Sequence, residues 1–371
     1  MFSWMEINSK AIEHNLKEFR RVIGPKILLM PVVKSNAYGH GLLEVARICD
    51  KSKETDRLCV VNSDEAMELV KNKIKKPIMI LSFYDFDEKS LLTLAKKDVI
   101  FPLFSLKQAK ILNKAGERAR KKIKVHLKID TGAARLGILP QNAVSFCEQI
   151  RKFKNLKLEG LWSHFASSEE DGEYTEKQIA KFNETTLALK KAGIDPPLKH
   201  MACSASSVLY EKANLNGVRL GLGMYGLYSA NSDMKLKVKL RPALAWRARV
   251  IQIKNIPAGS KIGYGGTATA GRPTKLAVIP VGYFDGYDRG LSNKAFALVK
   301  GEKCPVLGRI CMNLFMIDVT SIQNVREGDA ATLIGREGAN EISAENLADW
   351  AQTINYEIVS RLNPQLPRIF R

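Results

Sequence analysis

The stretch Ile27-Leu28-Leu29-Met30-Pro31-Val32-Val33-Lys34-Ser35-Asn36-Ala37-Tyr38-Gly39-His40-Gly41 decides how this chain is read. Its apolar run, Ile27 to Val33, is too short for a buried helix and well suited to a buried strand. Lys34 closes the run. A lysine there can sit desolvated among apolar neighbours, where its amine loses part of its preference for the charged form and becomes available as a nucleophile toward a carbonyl. The same position also suits a lysine that snorkels to solvent, so Lys34 alone assigns nothing. The small, turn-prone residues after it leave room for a flat ring near the amine.

Working outward, the same theme recurs. Strand-like segments lie at Ile27–Lys34, Leu58–Asn62, Pro77–Leu81, Ile100–Phe104, Lys124–Asp130, Leu158–His164, His200–Ser204 and Val218–Gly221. Amphipathic helical stretches separate most of them, among them Asp64–Asn72, Glu88–Lys96, Leu106–Lys114, Pro140–Lys152 and Glu173–Ala192. Eight strands alternating with helices predict a parallel sheet, and eight is the number that closes a TIM-type (β/α)8 barrel. An open doubly wound sheet is the alternative, but no G-x-G-x-x-G follows any of these strands.

The character changes near Met234-Lys235-Leu236-Lys237. Beyond it come Val-, Ile- and Thr-rich segments broken by Gly and Pro: Ala245–Ile253, Lys275–Val281, Ala295–Val299, Cys304–Gly308, Phe315–Val319 and Ala330–Ile334. Helical patterning returns at Ser343–Ile354, with Ser343 as the cap. The α/β barrel is therefore expected over 9–238 and a C-terminal, mostly β domain over 239–371. Residues 1–8, which alternate like a strand, are expected to pair with the second domain.

With 371 residues, 45% hydrophobic and 26% charged, the chain reads as globular. The net charge of +20 comes from lysines scattered over helix faces, such as Lys71, Lys73, Lys75 and Lys76, without aromatic interleaving or zinc-finger spacing. Neither nucleic acid nor a metal is expected as a partner. Cys49, Cys59, Cys147, Cys203, Cys304 and Cys311 form no C-x-x-C pair. No basic-then-apolar leader and no run near the roughly 18 residues of a membrane span is present, so a reduced, cytoplasmic protein is expected.

In a parallel barrel, functional side chains gather at the C-terminal strand ends. Here those ends carry Lys34, Asp130 with Thr131 to Arg135, His164, Ser204, and Arg219 with Gly221. Each has an ordinary reading alone: a core histidine, an ion-pair arginine, a helix cap for Ala205–Tyr210. Together they predict a mouth with cations, a histidine and phosphate-sized donors, and Gly221 and Leu222 fall where many barrels hold phosphate through backbone N–H groups.

At this point the chain resembles the alanine racemase family. The matching segments are Val33 to Gly41, His126-Leu127-Lys128-Ile129-Asp130-Thr131-Gly132 with Arg135-Leu136-Gly137, Ser163-His164-Phe165-Ala166, Arg219 to Gly221 with Met224-Tyr225-Gly226, and Gly263-Tyr264-Gly265. Val281-Gly282-Tyr283, Asp285-Gly286-Tyr287, Gly308-Arg309-Ile310-Cys311-Met312 and Asn355-Tyr356-Glu357 complete the series, in family order.

The resemblance implies a pyridoxal 5'-phosphate (PLP) isomerase that interconverts L- and D-alanine for peptidoglycan. Lys34 would hold PLP as a Schiff base and serve one face of the substrate; Tyr264 of the partner subunit would serve the other, linked to His164 and through it to Arg219. Arg219 would face the pyridine nitrogen, where a guanidinium, reluctant to release its proton, leaves the ring a poorer electron sink than a carboxylate would. Arg135 would contact the PLP phenolic oxygen and the substrate carboxylate, oriented by Lys128, whose counterpart in relatives can be carbamylated. Tyr38, Ser204, Gly221, Leu222 and Tyr356 would hold the phosphate. Met312 of the partner subunit would bind the substrate carboxylate, and Tyr283, Arg289 and Tyr356 would narrow the way in. A homodimer with shared sites follows.

Three positions depart from the family pattern: Asn313 for Asp beside Met312, Cys203 for Asn before the phosphate serine, and Ala133-Ala134 for a Met-containing pair. Alanine is still expected as the best substrate, with serine second. A PLP decarboxylase would need a carboxylate in place of Arg219 and a glycine-rich phosphate loop, and a barrel-type PLP carrier would lack the β domain.

Overall fold

The computed structural model describes residues 1–229 and 233–371. Packing divides the chain into two units. One comprises Ile12–Ser35 and Leu42–Arg241, the other Met1–Ala11, Asn36–Gly41 and Pro242–Arg371.

After β1 (Ser3–Ile7), the first unit holds eight short parallel strands, β2 (Leu28–Pro31), β3 (Leu58–Val60), β4 (Ile78–Ile80), β5 (Phe101–Leu103), β6 (Ile123–Lys128), β7 (Leu156–Trp162), β8 (Leu198–His200) and β9 (Gly217–Leu220). β2 pairs with β9, β3 with β4, and β5 to β8 form one sheet. Bridges at Val32–Cys59 and Met79–Ile100 join the pieces. The amides of Asn216 and Arg219 donate to the carbonyls of Lys199 and Ala202, which closes the ring between β8 and β9. The result is the (β/α)8 barrel expected from the alternation.

Strands β3, β4 and β5 are buried at every position, as a sheet covered on both faces requires. Between strands, the helices bury their apolar stripe. In Ser9–Ile23, Ile12, Leu16 and Phe19 have no exposed surface, and each contributes roughly 1.5–3 kcal/mol by leaving water. One boundary differs from the sequence reading. The seventh barrel strand, β8, ends at His200 rather than Ser204, because Ser206 Oγ accepts the Cys203 amide at 2.8 Å and starts the helix Ser204–Leu209 there.

In the second unit the sheet runs in the order Gln252–Ile256, Thr274–Ile279, Phe315–Asp318, Glu302–Leu307, Phe296–Val299, Ala330–Glu337, Leu244–Arg249, β1, Arg368–Phe370. β1 is antiparallel to Leu244–Arg249, with Ser3 opposite Ala248 and Ile7 opposite Leu244. The segment expected as one strand at Ala245–Ile253 is two, because Val250 still donates to Asp329 O at 2.9 Å while Ile251 donates to Val278 O at 3.0 Å, so the chain changes partner strand there. Trp246, Tyr287 and Phe315 form the aromatic centre, with the last two stacked at 4.7 Å. Ser343 caps the helix Ala344–Ala351 through the Asn346 amide, as the sequence indicates. The helix Asn355–Ser360, which follows, was absent from that reading. No helix among the described residues is long and apolar enough to cross a membrane.

Gly39 has φ of +83°, and a Cβ there would lie 2.0 Å from the Val359 carbonyl oxygen. Both faults act together in Gly39→Ala, so we expect a loss of about 2 kcal/mol or more, read as a lower denaturant midpoint.

Candidate active site

The chain beyond β2 does something unusual. Lys34–Tyr38 forms one helical turn, and Ser35, Asn36, Ala37 and Tyr38 all have φ between 52 and 55°, so the turn is left-handed. That hand costs L-residues ~1–2 kcal/mol each. Hydrogen bonds hold it. Glu65 accepts the Ser35 amide at 2.6 Å, Asn36 O accepts the Gly41 amide at 2.9 Å, and Ala37 O accepts the His40 amide at 3.0 Å. Lys34 is half-buried. Burial, then the nearby Arg135 charge, pushes its amine below the usual lysine range, with Glu65 opposing.

The loop after β6 is tied by Asp130, whose Oδ1 accepts the amides of Gly132, Ala133 and Ala134 at 2.9–3.1 Å. It presents Arg135, exposed in this chain, and Ala134 sits at φ of 51°. Lys128, at the end of β6, is buried with its ammonium 4.3 Å from the centre of the Trp162 ring. Burial, then Arg135 and Arg219, brings its amine down to about 7.

Arg219, on β9, is 3% exposed, yet well supplied with acceptors. Nη1 donates to His200 Nδ1; Nη2 donates to Ser163 O at 2.8 Å and Met201 O at 2.7 Å, and reaches His164 Nδ1 at 3.3 Å. Its Nε–H has no acceptor among the described residues. Because a guanidinium only donates, His164 Nδ1 must accept, which leaves the proton of that neutral imidazole on Nε2. No described residue accepts it. Burial, then Arg219, holds His164 well below the usual histidine range.

Ser204 opens its helix rather than capping it; Cys203 is the cap residue. The Ser204 hydroxyl accepts the amides of Gly221 at 3.0 Å and Gly223 at 3.2 Å. With its lone pairs engaged, its own proton is free to point at an anion. Leu222 starts the 3-10 turn Leu222–Tyr225, so its N–H has no partner within that turn. Cys203 Sγ lies 3.2 Å from Ser206 Oγ and 3.6 Å from Ser168 Oγ.

Lys34, Lys128, Arg135, His164, Ser204, Arg219, Gly221 and Leu222 all belong to the barrel unit. The second unit carries the other candidates. Tyr38 and Tyr356 pack there with ring centres 6.3 Å apart. Tyr264, Tyr283 and Arg289 line a cavity of about 370 Å³ with Arg309, Ile310 and Cys311. Gly263 and Gly265, at φ of 69° and 73°, flank Tyr264, which is 72% exposed. The amides of Tyr283 and Phe284 donate to Cys311 O and Met312 O, joining two loops, while the exposed Met312 keeps its own N–H without an acceptor among the described residues. Asn313 is exposed beside it.

Sequence reasoning gave no role to Glu65, Glu159, His126, Trp162 or His200. A carboxylate inside the strand sequence Leu156-Lys157-Leu158-Glu159-Gly160-Leu161-Trp162 was the available signal.

Comparisons with known proteins show the family and the fold. The family model "Alanine racemase, N-terminal domain" matches residues 7–229, and "Alanine racemase, C-terminal domain" matches 243–370. An alanine racemase of Methanococcus maripaludis is 40% identical over 99% of this chain and 98% of its own length. One from Halothermothrix orenii is 39% identical over 100% and 97%. The crystal structure of alanine racemase from a D-cycloserine-producing Streptomyces lavendulae superposes with a TM-score of 0.93 at 30% identity, covering 100% of this chain and 97% of that one. Barrel and β domain thus define a two-domain isomerase. The chain belongs to the alanine racemase family.

Lys128 provides a test of the site's electrostatics. Its folded pKa of about 7 lies below the ~10.4 of an unfolded lysine, so the unfolded state binds more protons between those values. This group therefore adds stability as pH rises from about 7 toward ~10, and imposes its full penalty below about 7. Thermal melts across that range should show a flatter pH response in Lys128→Met, with the variant gaining relative to the unsubstituted protein on the acid side.

Proposed function

We infer that this chain interconverts L- and D-alanine with PLP held at the barrel mouth. The observation that carries the reading is the donor-only Arg219, whose unused Nε–H suits an unprotonated ring nitrogen, on the strand that pairs with the one leading to Lys34. When bound, PLP would supply an electron sink that acidifies the substrate Cα–H.

The donor set fits that group. Lys34 Nζ would bind its aldehyde carbon, and the Ser204 hydroxyl, the Gly221 and Leu222 backbone, Tyr38 and Tyr356 would hold the phosphate. Arg135 would meet the phenolic oxygen and the substrate carboxylate. Lys128 beside it is an amine with a substantial neutral fraction near pH 7, the form that reacts with carbon dioxide, so it is suited to carbamylation.

Racemisation needs a proton carrier on each face of the substrate's α-carbon. Lys34 Nζ would take the α-proton of D-alanine, and Tyr264 Oη of the partner subunit that of L-alanine. A phenol with a pKa near ~10 is a weak base at neutral pH unless its anion is stabilised. His164 supplies the means: its Nε2–H is a donor without a described acceptor, and a phenolate oxygen would take it. Met312 of the partner subunit would offer its free N–H to the substrate carboxylate, and Tyr283, Arg289 and Tyr356 would restrict side-chain size. Lys34 and Tyr264 then work only in a homodimer. The loss of a charge at Asn313 and the smaller Ala133-Ala134 pair leave alanine as the preferred substrate and serve a slower serine reaction. Supply of D-alanine for peptidoglycan, in the cytoplasm, completes the reading.

PLP-loaded protein incubated with L-alanine should accumulate D-alanine until the two are equal. Lys34→Ala should lose the visible absorbance of bound PLP together with activity. Tyr264→Phe should keep the absorbance and lose at least ~10²-fold in rate. Bound PLP without D-alanine formation, or full turnover by a monomer in analytical ultracentrifugation, would overturn the reading.

A further inference from the structure

A second hydrogen-bonded path leaves Arg219 in the direction away from His164, through the barrel interior. His200 Nε2 lies 2.9 Å from His126 Nδ1, and His126 Nε2 lies 3.1 Å from Glu159 Oε2. Arg57 donates to the same carboxylate oxygen at 2.8 Å. His126 and His200 are 0% and 2% exposed.

The ends of this path fix every proton on it. Arg219 can only donate, so His200 Nδ1 accepts and the His200 proton sits on Nε2. That proton goes to His126 Nδ1, which places the His126 proton on Nε2, where it goes to a carboxylate that can only accept. Arg219, His200, His126 and Glu159 therefore form a relay with a single donor direction and two neutral imidazoles. Burial lowers both histidines. Burial opposes ionisation of Glu159, but the His126 and Arg57 hydrogen bonds outweigh it and hold the carboxyl down at about 2.

The fold is shaped around this path. Val125 pairs with Leu158 and His126 with Gly160, so Glu159 is the extra residue of a bulge in β7. At Gly160 a Cβ would lie 2.5 Å from the His126 ring, so glycine there makes the space that the imidazole fills. Trp162 stacks on His200 at 5.7 Å and lies 4.8 Å from the Arg219 guanidinium carbon, limiting both planes.

We propose that Glu159, His126 and His200 are positioning residues for Arg219: they supply its remote counter-charge and hold its guanidinium in one orientation, with Nε–H turned to the cofactor ring. This rests on the racemase reading for its catalytic consequence, but the relay itself is independent of it.

The test has two arms on the PLP-loaded enzyme. Nitrogen-15 NMR of labelled histidine, assigned with His126→Asn and His200→Asn, should show both rings as the neutral Nε2–H tautomer across the range in which an ordinary histidine titrates. Glu159→Gln keeps the shape and removes the charge. It should shift the His126 and His200 signals, move the absorption band of bound PLP, and lower kcat for alanine at least tenfold with KM changed by about threefold or less. Titration of either ring near neutral pH would overturn the relay. So would a Glu159→Gln enzyme with unchanged spectra, whether its turnover is normal or lost, since a merely structural role predicts that outcome. Absence of D-alanine formation by the unsubstituted enzyme would instead refute the racemase reading, leaving the NMR arm to decide the relay.

Discussion

A guanidinium with almost no exposed surface sits inside the barrel, and much else follows from keeping it there. Burying such a charge costs several kcal/mol unless its donors are satisfied. Here the acceptors are the carbonyls of Ser163 and Met201 and ring nitrogens of His164 and His200, all from the ends of β7 and β8. Arg219 can be accommodated only where β7, β8 and β9 are adjacent and in this register. A one-residue slip would turn its side chain to the other face of the sheet and strand the charge. Burial brings Arg219 down to about 10, still well above neutral pH, so it remains a cation and a donor.

The large features were legible because they are written in periodicity. Runs such as Leu58–Asn62 and Ile100–Phe104 are short, mainly apolar and bounded by helical spacing, which leaves few alternatives to a parallel barrel. Lys34, His164 and Arg219 were legible because they end such runs. Three things were not. The left-handed turn after Lys34 depends on Glu65, thirty residues away. Ser204 was legible as a phosphate donor, but the engagement of its hydroxyl by the Gly221 and Gly223 amides was not. Glu159 reads as a solvated strand residue until the β7 bulge and the His126 ring are seen together. Each depends on tertiary proximity, to which a periodic pattern is blind.

The two loops that present the mouth's cations share one device. Glu65 accepts the amides of Ser35 and Val61, and Asp130 those of Gly132, Ala133 and Ala134. Both loops hold non-glycine residues at positive φ, so these bonds offset a conformation that would otherwise relax. The choice has an electrostatic consequence. Carboxylate oxygens committed to backbone N–H groups are poorly placed to form direct ion pairs, and Lys128, Arg135 and Arg219 have no salt bridge among the described residues. The positive charges lower one another's proton affinity in the barrel. Under the proposed function, a ligand bearing a phosphate and a carboxylate would relieve that repulsion on binding. The strain in the loops and the charge at the mouth therefore have a common origin: the acidic groups are directed at the backbone, and the cations lie close enough to disfavour one another's charge.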